Sequence, residues 1–238
     1  MLDHVTIRVA DLEASRRFYE TLLRREPEGA DFLEWDEFGI AQGDGHHPVS
    51  RNLHVAFAAE TRHDVDDFWR RGVEAGYTSD GEPGPRPQYH SDYYGGFLLD
   101  PDGNSVEAVH AARTESGPRI DHLWLRVGDV GASARFWETV APALGLSVAS
   151  DMASGFHVHT RNRSFACVRD ERPKTEHVHL AFPVPDDETV AEFHRVATAA
   201  GFRDNGGPGE RPEYHAGYVG AFVLDPDGNN VEAVNHNR

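Results

Sequence analysis

The chain opens on alternation. In "HVTIRVA", residues 4–10, Val5, Ile7 and Val9 fall on one side and His4, Thr6 and Arg8 on the other, the period-two pattern of a half-buried strand. The period then lengthens. In "DLEASRRFYETLL", Leu12, Phe18, Tyr19, Leu22 and Leu23 share one helical face behind Asp11, a residue type suited to cap a helix start. Short strands are predicted at "DFLEW" and "FGIAQ", parted by the acidic turn "DE". "NLHVAFAA" predicts another strand, "RHDVDDFWRRGVEAG" a helix ending at Gly76, and "YGGFLLD" and "SVEAVH" two strands around a Pro-Asp-Gly-Asn turn. The Gly- and Pro-rich "DGEPGPRPQ" between them reads as loop rather than strand.

The same pattern is written twice. Residues 3–20, "DHVTIRVADLEASRRFYE", align with 121–138, "DHLWLRVGDVGASARFWE", with ten identities in eighteen. At an offset of 125, "LHVAFAAE" matches "VHLAFPVP" and "RPQYHSDYYGGFLLDPDGNSVEAV" matches "RPEYHAGYVGAFVLDPDGNNVEAV". The three blocks keep their order, so a whole unit is duplicated. The polar segment "AARTESGP", 111–118, is the seam. Each half reads as β-α-β-β followed by β-α-β-β, an α+β arrangement whose sheet carries its helices on the apolar face and leaves the other face open. In the second half "DVGASARFWETV" and "DDETVAEFHRVATAAG" supply the helices.

Composition narrows the chemistry. The 238 residues carry 23 basic and 40 acidic side chains, a net charge of −17, which repels nucleic acid and anionic lipid. Lys174 is the one lysine. A single cysteine, Cys167, excludes an internal disulfide and a thiolate metal cluster, so any metal must use His and carboxylate. The first residues lack the basic flank and apolar core of a signal peptide, and no stretch approaches a membrane span, so a cytoplasmic protein with no membrane partner is expected.

Alternation also places the chemistry. With Val5, Ile7 and Val9 facing the helices, His4 faces the open side; Leu53, Val55 and Phe57 leave His54 there, and Val106 and Ala108 leave Glu107 there. His122, His179 and Glu232 follow by the same rule. Two imidazoles and a carboxylate leave coordination positions free on a divalent ion, and the set suits iron, manganese, zinc, nickel or cobalt. Other histidines, such as His46, His47, His63, His157 and His194, do not recur in register, whereas these positions do. For any one of the six, the plainer reading is a hydrogen-bonded core residue.

On "DHVTIRVADLEASRRFYE", "NLHVAFA" and "DPDGNSVEAV" with their second copies, the chain resembles the vicinal oxygen chelate superfamily of glyoxalases, extradiol dioxygenases and bleomycin resistance proteins. The resemblance implies two tandem glyoxalase-like domains, 1–112 and 119–238, each of paired βαβββ units forming a cupped sheet around a divalent metal. It implies His4, His54 and Glu107, and His122, His179 and Glu232, as ligands, with exchange of ligands between halves left open. It implies a small oxygen-chelating substrate, lyase, isomerase or dioxygenase activity, and admits a homodimer. A non-catalytic protein that sequesters a small molecule is the alternative. The further Glu or Gln ligand of glyoxalase and epimerase members has only Gln42 and Cys167 at its position, and the tyrosine of the ring-cleaving members reads as Phe97 and Phe222. The bleomycin-binding members lack the metal triad.

Beside these positions "RPQYHSDYY" and "RPEYHAGYV" repeat Arg86, Tyr89 and His90 as Arg211, Tyr214 and His215. Such a loop can anchor an anionic oxygen through Arg86 or Arg211 and transfer protons through the histidine and tyrosine. It can equally be a structural loop in which Pro fixes the path and Tyr packs. Tyr94 has Val219 as its counterpart.

Overall fold

The computed structural model describes residues 2–111, 119–160 and 164–237. The first half runs β1 (His4–Val9), α1 (Leu12–Leu23), β2 (Phe32–Trp35), β3 (Phe38–Gln42), β4 (His54–Ala58), α2 (Arg62–Glu74), β5 (Ser79–Pro85), β6 (Tyr94–Leu99) and β7 (Ser105–His110). The second runs β8 (Ile120–Arg126), α3 (Val130–Val140), β9 (Ser147–Met152), β10 (Gly155–His159), β11 (Ser164–Val168), β12 (His179–Pro183), α4 (Asp187–Ala199), β13 (Arg203–Glu210), β14 (Val219–Leu224) and β15 (Asn230–Asn235). Apart from Ala111, the expected seam lies outside the described residues.

Local chemistry sets the helix starts. Asp11, Asp129 and Asp186 each accept a hydrogen bond from the backbone N–H three residues on, and Thr61 and Asp64 cap each other reciprocally at α2. Gly76 follows α2 with φ +89°, a backbone conformation that ends the helix and favours glycine.

Two contact units emerge, and they depart from the halves at the first strand of each. A continuous unit comprises Ile7–Trp124; a split unit comprises Met1–Thr6 with Leu125–Arg238. Strand β1 passes from the split to the continuous unit after Thr6, and β8 passes the other way after Trp124. In the continuous unit, strands run in the order β5-β6-β7-β4-β8, with β1-β3-β2 as a second run. In the split unit the order is β13-β14-β15-β12-β1, with β8-β11-β10-β9 as the second run.

Each unit has an aromatic core under its helices. Tyr19 packs on Trp35 and Phe38 in the continuous unit, and Trp137 packs on Phe165 and Phe182 in the split unit. All six are almost wholly removed from water, each such burial worth roughly 1.5–3 kcal/mol. This packing fixes which face of each strand is apolar.

The loop expected at "DGEPGPRPQ" is corrected: its first part is the edge strand β5, paired only with β6 through two register shifts. Proline is tolerated there because an edge strand leaves alternate N–H groups unpaired, and the shifts absorb the glycines. The equally Gly-rich β13 pairs with β14 in the same irregular way.

Candidate metal centres

Strand register, more than proximity in sequence, decides which side chains meet. In the continuous unit β8 is antiparallel to β4, and β4 is parallel to β7. One row across the sheet therefore reads His122–Ala56–Glu107, and the next Trp124–His54–Ser105. In the split unit the rows are His4–Ala181–Glu232 and Thr6–His179–Asn230. Ala56 and Ala181 are the small floor between a histidine and a carboxylate.

The donor atoms of His4, His179 and Glu232 lie within 4.8 Å of one another, as do those of His54, Glu107 and His122. In the split unit the two Nε2 atoms are 3.1 Å apart, and Glu232 Oε2 is 2.9 Å from His179 and 3.8 Å from His4. In the continuous unit Glu107 Oε2 is 3.0 Å from His54 Nε2 and 3.6 Å from His122 Nε2. Ligand atoms about 2.0–2.1 Å from one ion stand roughly 3 Å apart, so both sets fit a shared divalent cation. Both carboxylates are 1% exposed, and a buried charge needs a partner.

The sequence left open whether the two halves exchange histidines, and the donor atoms group across the halves. His4 joins His179 and Glu232, and His122 joins His54 and Glu107, so the first-strand histidine is exchanged between halves. Alternation fixes the face a side chain takes but not the neighbouring strand, and the duplication makes both partners equivalent in sequence.

The turn quoted twice in the sequence aligns these rows. Asp100 accepts from the N–H of Asp102 and Asn104, and Asn104 Oδ1 accepts from the N–H of Leu53 at 3.0 Å, one residue before His54. Asp225 and Asn229 repeat this, with Asn229 Oδ1 accepting from Val178 N, one residue before His179. Gly103 and Gly228 take φ of +85° and +91° to close the turns.

Two tyrosines were missed in the sequence. Tyr93 Oη donates to Glu107 Oε1 at 2.7 Å and Tyr218 Oη to Glu232 Oε1 at 2.7 Å, which leaves each Oε2 facing the histidines. Burial and the adjacent carboxylate raise both phenol pKa values far above the ordinary range, so both stay hydrogen donors. The signal was present, for Tyr93 and Tyr218 share the offset of 125. Gly95 and Gly220 make room: a Cβ there would come within 2.2 and 2.6 Å of the glutamate Oε1 atoms.

His122 is titrated by opposing effects. Burial works to lower its pKa, but the hydrogen bond to Asp121 and the Glu107 charge outweigh it and raise it. Around the same cluster Trp124 meets His54 and Tyr89 edge-on, and its indole N–H has no acceptor among the described residues.

The remaining sequence candidates lie apart from the clusters. Tyr89 and Tyr214 are 51% and 61% exposed, their rings against Tyr93 and Tyr218. His90 is exposed and bonded to Asp92, while His215 Nε2 is 2.9 Å from His236 Nδ1. Arg86 donates to the carbonyls of Glu82 and Pro85 and lies over the Phe97 ring; Arg211 does the same to Gly207 and Glu210 over Phe222. These guanidinium groups brace the bends after β5 and β13. Gln42 binds Val9, Ala10 and Leu12 at the start of α1, and Cys167 is buried as a thiol with its pKa pushed well up by desolvation. Neither enters a cluster.

A family model described as the Glyoxalase/Bleomycin resistance protein/Dioxygenase superfamily matches residues 1–108 and 119–233. The chain belongs to this superfamily. No curated protein matches it by sequence. Among solved structures, glyoxalase I from Zea mays superimposes with a TM-score of 0.72 at 18% identity, covering 99% of this chain and 92% of that one. A putative dioxygenase from Bacillus subtilis subsp. subtilis str. 168 superimposes with a TM-score of 0.67 at 13% identity, covering 100% and 85%. At these identities the likeness is one of fold, and superfamily folds host many reactions. Among the described residues no helix is long and apolar enough to cross a membrane.

Proposed function

We propose that this superfamily member is a divalent-metal-dependent enzyme acting on a small substrate that chelates the ion through two oxygens. The carrying observation is the convergence of two imidazoles and one buried carboxylate in each unit. His4, His179 and Glu232 would hold one ion, and His54, His122 and Glu107 the other. Three donors leave positions open for a bidentate ligand, a set shared with non-haem iron oxygenases. When bound, the ion supplies Lewis-acid stabilisation of negative charge on the substrate oxygens.

The chain's own groups prepare the site. Tyr93 and Tyr218 hold the outer glutamate oxygens and keep the inner ones aimed. Ala56 and Ala181 place no side chain larger than a methyl between each histidine and its glutamate. His215 is the better placed acid–base group, since His236 and Asp3 connect it by hydrogen bonds of 2.9, 2.8 and 2.9 Å to His4, whereas His90 engages the neighbouring Asp92.

Elemental analysis should find two ions per chain, and Glu107→Ala or Glu232→Ala should each remove one. A metal-free native protein, or no loss from either substitution, would overturn the assignment. Oxygen uptake by the metal-loaded protein would mark a dioxygenase and consumption of an aldehyde substrate a glyoxalase; binding without turnover would mark a sequestering protein.

A further inference from the structure

The repeated decapeptide changes in one letter, Ser105 against Asn230, and that letter stands behind a histidine of the cluster. In the continuous unit Ser105 Oγ is 3.1 Å from His54 Nδ1 and donates to Asp80 Oδ2 at 2.7 Å. In the split unit Asn205 replaces Asp80: the Asn230 amide nitrogen is 2.7 Å from His179 Nδ1, and Asn205 donates to Asn230 Oδ1 at 3.0 Å. One chain of contacts ends on a carboxylate and the other on a neutral amide.

The first-strand histidines extend the contrast. His122 Nδ1 lies 2.8 Å from Asp121, whose carboxylate serves that ring alone among the described residues. His4 Nδ1 lies 2.9 Å from Asp3, but the other oxygen of Asp3 is taken by His236 Nε2 at 2.8 Å. An imidazole that offers Nε2 to a cation carries its proton on Nδ1 and needs an acceptor there. The Ser105 hydroxyl, donating to Asp80, turns a lone pair toward His54. The Asn230 amide turns N–H toward His179, and both Asn230 and Asn205 must turn over before it can accept.

We propose that the two centres are unequal, and that His54, His122 and Glu107 hold a divalent ion more tightly than His4, His179 and Glu232. The cause is the acceptor and negative charge that Ser105, Asp80 and an undivided Asp121 place behind the imidazoles. This rests on the metal-site reading above. Removing such a partner typically changes metal affinity by about 10–100-fold.

Equilibrium dialysis of the demetallated full chain against Zn²⁺ tests this without any substrate. Two classes of site are expected, at least about tenfold apart, the tighter lost in Glu107→Ala and the weaker in Glu232→Ala. Asp80→Asn, at an exposed position, should weaken the tight class. The double change Asn205→Asp with Asn230→Ser should tighten the weak class, a gain that damage to folding would not produce. Classes closer than tenfold, the reverse order, or affinities unmoved by both variants overturn the inference. A chain that binds no Zn²⁺ at all overturns the metal-site reading itself, an outcome distinct from equal affinities.

Discussion

At the scale of the residue, each centre depends on a carboxylate with two differently employed oxygens. Glu107 and Glu232 give Oε1 to a tyrosine and Oε2 to the histidines. A hydrogen bond to a charged group contributes about 1.5–3 kcal/mol. Tyr93→Phe should therefore weaken metal binding in the continuous unit by roughly tenfold or more and leave the other unit unchanged, with Tyr218→Phe giving the reverse, both read by metal titration. The open-face placement of the six clustered histidines and glutamates was legible in the alternation of three strands per half. The tyrosines were not, because Tyr93 and Tyr218 precede their strands and no period assigns them a face.

At the scale of the element, the Asp-Pro-Asp-Gly-Asn turn does more than reverse the chain. Through Asn104 it holds the start of β4, and through Asn229 the start of β12, so each histidine row is levelled with its glutamate row. Asn104 and Asn229 are buried, and a buried N–H left without its acceptor costs about 1–3 kcal/mol. Asn104→Ala should lower unfolding free energy by that order in urea denaturation, and should also weaken metal binding at His54 more than at His179. The sequence marked this segment by its repetition, and the turn type followed from Pro, Gly and Asn. Its grip on β4 did not, since Leu53 and Asn104 are far apart along the chain. The edge strand β5 was hidden for another reason: its Pro and Gly residues read as loop, and only the pairing to β6 makes it a strand.

At the scale of the whole molecule, the net charge of −17 and the buried acids of the turns make stability depend on pH. Burial pushes the Asp225 carboxyl up to about 6, with Asp227 adding to the rise against the opposing hydrogen bonds of Asn229 and Asp227 N–H. The folded value lies above the unfolded one of about 3.9, so this contribution is present below that pH and is lost as pH rises through the folded value. Unfolding free energy should fall between about pH 4 and pH 6 by no more than about 3 kcal/mol from this group. Asp225→Asn should flatten that slope relative to the parent chain in denaturant titrations over the same range; equal slopes would exclude Asp225 as the source.

The sequence by itself determined the duplication, the helix and strand periods, the face on which each histidine and glutamate lies, and, with its single cysteine, that no disulfide can form within the chain. These follow from spacing along the chain, which the backbone geometry of helix and strand converts directly into direction. Which strands become neighbours was decided only by the tertiary structure. Two halves with the same strand pattern offer every first strand two equivalent partners, and the observed register gives His4 to β12 and β15 and His122 to β4 and β7. The side chains of each cluster are thus drawn from both halves of the sequence, a pairing that no periodicity along one strand encodes.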